Sequence, residues 1–200
     1  MRPLHYLNDP DVRTAERAVF IDAALKLLGH MDSLDLKVSD VVRAADRNNA
    51  IFYKLFGSRD GLIIAVVEHT THMIVEAMRR RISTNPTNEE AVNVWCSTLL
   101  ALASPEHSSR SVLPMALDRH RILRKSPESA EHVVEPLKNA LKAMLGNDSL
   151  SELRLDAVFE LVMGMQATWL ALGHRPTPRE IREVADAVLL IVTTPMKPAR

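Results

Sequence analysis

A single cysteine in 200 residues, Cys96, removes any disulfide framework or cysteine-based zinc site and gives no sign of an oxidising compartment. Glycine is scarce, with six residues, which argues against a turn-rich all-β fold. No charge of one sign prevails: 25 Lys and Arg balance 25 Asp and Glu, so a nucleic-acid partner would have to meet a local patch. The longest apolar runs, LIIAVV at 62–67 and AVLLIV at 187–192, are too short to cross a bilayer, and the opening MRPLHYLNDPDVRT lacks the apolar core of a signal peptide. These shortages together lead to the expectation of a soluble, cytoplasmic protein with no membrane partner. No G-x-S-x-G, P-loop or dinucleotide glycine pattern occurs, so neither catalytic residues nor a cofactor is expected and the chain does not read as an enzyme.

What is present favours helices. The chain is 46% hydrophobic and 25% charged, too apolar for disorder and long enough for a substantial core. Phe20, Ala23, Ala24, Leu27 and Leu28 recur on one helix face within 13–28, and Gly29 is placed to end it. Val38, Val41, Val42 and Ala45 give a second, short helix, and Ile51, Phe52, Leu55 and Phe56 a third after a tight break. Ser58 is placed to cap a fourth over 59–82, with Asp60 in its first turn. Further helices are expected at about 87–103, 111–124, 127–145, 150–173 and 177–193, separated by segments with the Pro, Gly or Ser that stop and start helices. The fold class is therefore all-α, with about nine helices.

Two short helices leaning on a longer first one make the pattern of a helix-turn-helix, whose second helix enters the DNA major groove. Residue identity sharpens that pattern. Ala23, Ala24, Leu27 and Leu28, then Val41, Val42 and Ala45, then Phe52, Tyr53 and Phe56, then Ser58, Arg59, Asp60 and Leu62 occur in order and at the right spacing. Over about fifty residues, from Phe20 to Glu68, the chain resembles the N-terminal domain of the TetR family of transcriptional regulators. The first dozen residues, with Pro3 and Pro10, read as a flexible arm at 1–12. The resemblance implies a three-helix DNA-binding domain over 13–60, followed by an effector-binding and dimerisation domain at 61–200. It also implies a homodimer on a palindromic double-stranded operator, with repression as the usual mode.

The spacing assigns roles within that stretch. Phe52 and Phe56 lie four apart and anchor the short helix, which leaves Tyr53 and Lys54 on its other side towards a phosphate backbone. Arg43 and Arg59 add positive charge, and Arg47, Asn48 and Asn49 at the start of the third helix are the candidates for base edges. The turn ADRN departs from the family's usual Ala-Gly-Val-Ser. Asp46 stands at the usual glycine, Asn48 at the capping serine, and Arg47 at an apolar position, where it either swings towards DNA or leaves the turn under-packed. The second helix lacks its usual threonine cap, so Ser39 is the candidate. This turn motivates an alternative: a helical small-molecule-binding or protein-interaction module of the same fold that no longer binds DNA.

In the C-terminal part, Trp95, Leu99, Met115, Phe159, Met163 and Trp169 are large or adaptable apolar residues, and the resemblance implies a pocket for a small apolar effector among those helices. The helix at 150–173 is apolar nearly all round, which suggests a central helix or one shared with a partner subunit. Val158, Val162 and Met165 on it, and Ile181, Val184, Val188 and Leu189 on the last helix, are the expected dimer contacts. His69, His72 and Glu76 share a helix face, but no partner motif completes a metal site and none is expected. The RRR run at 79–81 reads as a solvated last turn, Cys96 as a small buried residue, and Glu128 with His132 as an exposed helical pair.

Overall fold

The computed structural model describes residues 4–29, 36–103, 130–146 and 150–194. The segment 111–124, Met115 within it, and Glu128 lie outside them. Among the described residues there are nine helices and no strand, so the all-α expectation holds. They are α1 (Pro10–Leu28), α2 (Val38–Ala44), α3 (Asn49–Phe56), α4 (Arg59–Arg81), α5 (Asn88–Ala101), α6 (Ala130–Val133), α7 (Glu135–Leu145), α8 (Glu152–Ala171) and α9 (Pro178–Thr193).

The flexible arm does not extend to residue 12. Residues Leu4–Asn8 make a 3-10 turn whose Leu7 is buried in the first core, and α1 starts at Pro10. Asp9 is the reason, since its carboxylate accepts from the amides of Asp11 at 2.9 Å and Val12 at 3.3 Å, and Pro10 supplies a helical φ without needing a partner for an amide. Most of the later helices are capped similarly. Asn48, Ser58, Thr87, Ser151 and Thr177 each place a side-chain oxygen on an amide of the first turn, contributing about 1 kcal/mol apiece. Helices α2 and α7 have no side-chain cap: α7 follows Val134 and relies on Pro136 in its first turn. For α2 the sequence offers a candidate. The N-cap of α2 is Lys37, which gives no side-chain bond, and Ser39 lies inside the helix, so the expectation that Ser39 caps it is corrected.

Two apolar cores result. The first gathers Phe20, Ala24 and Leu28 of α1, Val41 of α2, Phe52 and Phe56 of α3, and Leu62, Ile63, Val66 and Val67 of α4. The second gathers Trp95 and Leu99 of α5, Leu137 and Leu141 of α7, Phe159 and Val162 of α8, Val188 of α9, and Val75 and Met78 near the end of α4. Helix α4 thus belongs to both. By length and composition it is apolar enough to cross a membrane, yet those residues are buried in the protein's own cores. A second link is α6: Val133 is part of the first core, and Val134 just after it packs against both.

The most enclosed helix is α5, with Ala91, Val92, Val94, Trp95, Cys96, Thr98, Leu99 and Leu100 all buried. Polar ties fix it in place. Trp95 Nε1 donates to the carbonyl of Leu137 at 2.8 Å and Gln166 Nε2 to that of Leu99 at 2.5 Å, which pairs polar groups that burial would otherwise penalise. Helix α8 keeps one side open: Leu155, Val158, Phe159, Val162 and Trp169 are buried, while Leu153, Leu161 and, just past its end, Leu172 are exposed.

Candidate nucleic-acid interface

Helix α3 is eight residues long and would not persist alone; packing of one face holds it. Phe20 of α1 meets Phe52 and Phe56 edge-on, with ring centroids 5.8 Å apart in both pairs, and Phe52 and Phe56 lie 5.5 Å apart. Such contacts contribute roughly 0.5–1.5 kcal/mol each beyond the area they bury. Arg17 closes the end of the helix, donating from Nη1 to the Leu55 carbonyl at 2.9 Å with its guanidinium 4.9 Å from the Phe56 ring centre. The opposite face is free. Tyr53 is 54% exposed, braced edge-on against Phe52, and Lys54 is exposed with no ion-pair or hydrogen-bond partner among the described residues.

The atypical turn before α3 is well built. Asp46 has φ 51°, the left-handed conformation that its position demands and that aspartate tolerates better than most residues. Asn48 caps α3 by accepting from the Ile51 amide at 3.0 Å, so its oxygen is committed to the fold and Asn49, exposed in the first turn, is the freer amide. Arg47 neither swings out nor leaves a void. Its Nε donates to Glu16 Oε2 of α1 at 2.7 Å and its Nη1 to the Asp46 carbonyl at 3.0 Å. The hydrogen bond that Arg47 donates to Glu16, and the charge of that carboxylate, hold the Arg47 pKa above the ordinary value despite some opposing burial. Arg47 therefore acts here as a clasp for the turn rather than as a free reader of guanine.

The positive patch is correspondingly smaller than the residue count suggests. Arg43 pairs with Asp40 on its own helix, Ser39 is exposed in the first turn of α2, and Arg59 is partly buried at the first position of α4. Lys54 is the fully available cation on α3. The reading of the sequence missed Glu16, Arg17 and Gly61. Glu16 lies one helical turn before Phe20 and so faces the turn, a spacing that was there to find. Gly61 has a different signature: a Cβ there would stand 2.1 Å from the Phe56 carbonyl oxygen, so the α3–α4 junction admits only glycine without shifting.

The clefts that the described residues form between α4 and α7, and between α4, α5 and α9, are not lined by the expected effector residues. Trp95, Leu99, Phe159 and Trp169 are buried core, and Met163 packs partly buried beside them. Among the expected dimer contacts, Val158, Val162 and Val188 are fully buried within the one chain and are corrected to core residues. Met165, Ile181, Val184 and Leu189 are partly buried against the same core, and the truly exposed leucines are Leu153, Leu161, Leu172 and Leu190. Periodicity locates an apolar face, but α8 has two, and only packing decides which of them turns inward. Cys96 is buried, and burial pushes its thiol up to about 12, far from a nucleophile's range. Of the RRR run, Arg79 pairs with Glu76 at 2.6 Å, whereas Arg81 reaches α5.

Comparison with known proteins adds the following. No protein-family model matches the chain. The HTH-type transcriptional regulator BetI of Brucella anthropi is 29% identical over 76 residues, and the match spans 38% of this chain and 39% of that relative's length. Among solved structures, a TetR transcriptional regulator from Rhodococcus sp. RHA1 superposes with a TM-score of 0.71 at 16% identity, covering 90% of this chain and 97% of that one. The transcriptional regulator FadR from Bacillus subtilis, in complex with stearoyl-CoA, gives 0.63 at 18% identity over 88% and 97%. RolR, in complex with resorcinol, gives 0.62 at 16% identity over 92% and 90%. The chain thus resembles TetR regulators and has their all-α fold across most of its length.

Proposed function

We propose that this chain is a ligand-responsive transcriptional regulator rather than an enzyme, and that it binds duplex DNA as a homodimer with α3 in the major groove. The observation that carries this reading is a short helix clamped by three phenylalanines on one side and offering Tyr53, Lys54 and Asn49 on the other. Tyr53 and Lys54 serve phosphates, and Asn49 serves a base edge. The likeness to transcriptional regulators named above supports it, and it carries a cytoplasmic location with it. Repression of a palindromic operator is the form we favour.

Leu153 and Leu161 on α8, Leu172 just after it and Leu190 on α9 support dimerisation, since together they leave large apolar side chains in water. A four-helix interface of α8 and α9 with their symmetry mates would cover them and place two copies of α3 one helical turn of DNA apart, roughly 34–36 Å. A small apolar effector in the C-terminal unit would shift α4 and spoil that spacing; two neighbours of the same fold are in complex with small molecules, stearoyl-CoA and resorcinol. The turn that motivated a module without DNA binding is closed by the Arg47–Glu16 pair and the Asn48 cap, which supports the regulator.

Selection of the purified protein on pooled random duplexes tests the reading. Recovery of a near-palindrome, lost in Tyr53→Ala, is the expected result. Absence of any enrichment or salt-sensitive affinity in a folded dimer, with and without added ligand extracts, would leave the DNA-free module standing instead.

A further inference from the structure

Where the end of α4 meets α5 and the start of α9, the surface carries a groove of about 340 Å³, within the lower range for small-molecule sites. Two arginines from different helices face it: Arg81, the last residue of α4, and Arg182 of α9. Hydroxyls hold Arg81 in place, its Nη1 donating to Thr98 Oγ1 at 2.7 Å and its Nη2 to Ser97 Oγ at 3.0 Å. Hydroxyls orient a guanidinium without neutralising it. Arg182 is exposed and has no hydrogen-bond or ion-pair partner among the described residues.

The neighbouring arginines differ, since Arg79 is paired with Glu76 and Arg179 with Glu183 on their own helices. The carboxylate that does line the groove, Glu90, is engaged elsewhere. Its Oε1 accepts from the Ser83 amide at 2.9 Å and its Oε2 from the Ser83 hydroxyl at 2.8 Å. Glu90 keeps its charge but pairs with neither arginine among the described residues, so two guanidiniums and one carboxylate share one concave surface with a net positive charge, an arrangement that one further anion relieves and that suits a carboxylate. Val94, Pro178 and Ile181 supply an apolar wall beside them, with room for more than a bare inorganic ion. DNA is excluded as the occupant of this groove in the α3-bound arrangement, because the length of α4 puts Arg81 roughly 33 Å from its start.

We infer that this groove binds a small organic acid, its carboxylate clamped between Arg81 and Arg182 and its apolar body lying on Val94, Pro178 and Ile181. The site stands whether or not the chain reads DNA. The test is calorimetric titration of the full chain, without DNA, using benzoate, its neutral isostere benzamide, and inorganic phosphate as probes. Benzoate binds saturably and benzamide does not; Arg182→Gln, which breaks no contact of the fold, weakens benzoate about tenfold or more, and Arg182→Lys recovers part of the loss. Equal binding of benzamide, an unchanged benzoate affinity in Arg182→Gln, or no saturable benzoate binding would overturn the inference. Phosphate binding as tightly as benzoate would overturn the organic-acid class and leave a site that reads charge alone.

Discussion

A side chain at Gly61 would collide with backbone, whereas one at Gly57 would meet open space but in a left-handed conformation, φ 70°. Gly61→Ala is therefore expected to lower unfolding stability by roughly 1–3 kcal/mol, because α3 or α4 must move, and Gly57→Ala by about 1 kcal/mol. Denaturant melts of the two variants rank them. Lys54 and Arg47 form a second instructive pair. Lys54 is exposed and makes no hydrogen bond or ion pair among the described residues, so Lys54→Ala should leave stability within about 0.5 kcal/mol of the parent. The same change should weaken all DNA sequences alike and lower the salt slope of binding by about one, read by titration at several ionic strengths. Arg47→Ala has the opposite profile, losing about 1 kcal/mol of stability with the Glu16 clasp. If Arg47→Ala instead relaxed specificity at one base pair with no change in melting, the clasp role would be wrong.

Helix boundaries follow local chemistry closely enough to be read from the chain when the capping residue is short and polar. Asn48, Ser58 and the break before the last helix, which holds Gly173, Pro176, Thr177 and Pro178, are legible for that reason. The start of α1 was not, because two prolines suggested a loose arm while Asp9 and Pro10 in fact make a good helix entrance. The one helix expected over 127–145 is instead α6 and α7, with the break at Val134 and Pro136 in the first turn of the second. Which face of a helix turns inward depends on partners distant in sequence, and this is why Val158, Val162 and Val188 were placed at an interface. At the entrance to α9, Thr177 and Glu180 form a reciprocal capping box, and His174 Nε2 lies 3.0 Å from Glu180. Bonds from the Thr177 backbone and hydroxyl, and then the His174 contact, hold the Glu180 carboxyl below its ordinary 4.5. A lowered carboxyl pKa stabilises above the unfolded value and ceases to do so as pH falls through the folded one. Hydrogen exchange in the first turn of α9 should thus accelerate, beyond the intrinsic pH effect, as the pH is taken from 6 to below 4.5; Glu180→Ala should show the loosened turn already at pH 6.

For the whole molecule, the open leucines define the decisive test of assembly. Leu161→Glu combined with Leu190→Glu replaces two exposed apolar groups, so a monomer would lose little stability, whereas a dimer built on α8 and α9 should fall apart. Sedimentation of the folded double variant as a monomer is the expected outcome, and an unchanged dimer would move the interface elsewhere. Between the two cores of one chain, the described links are α4, which runs through both, and the short segment of α6 with Val133 in the first core and Val134 against both. A body fixed to its support at one point can swivel about it and ignore how the support turns. Fixed at two, it must turn when its support turns, so the N-terminal three helices are geared to the C-terminal unit rather than hung from it.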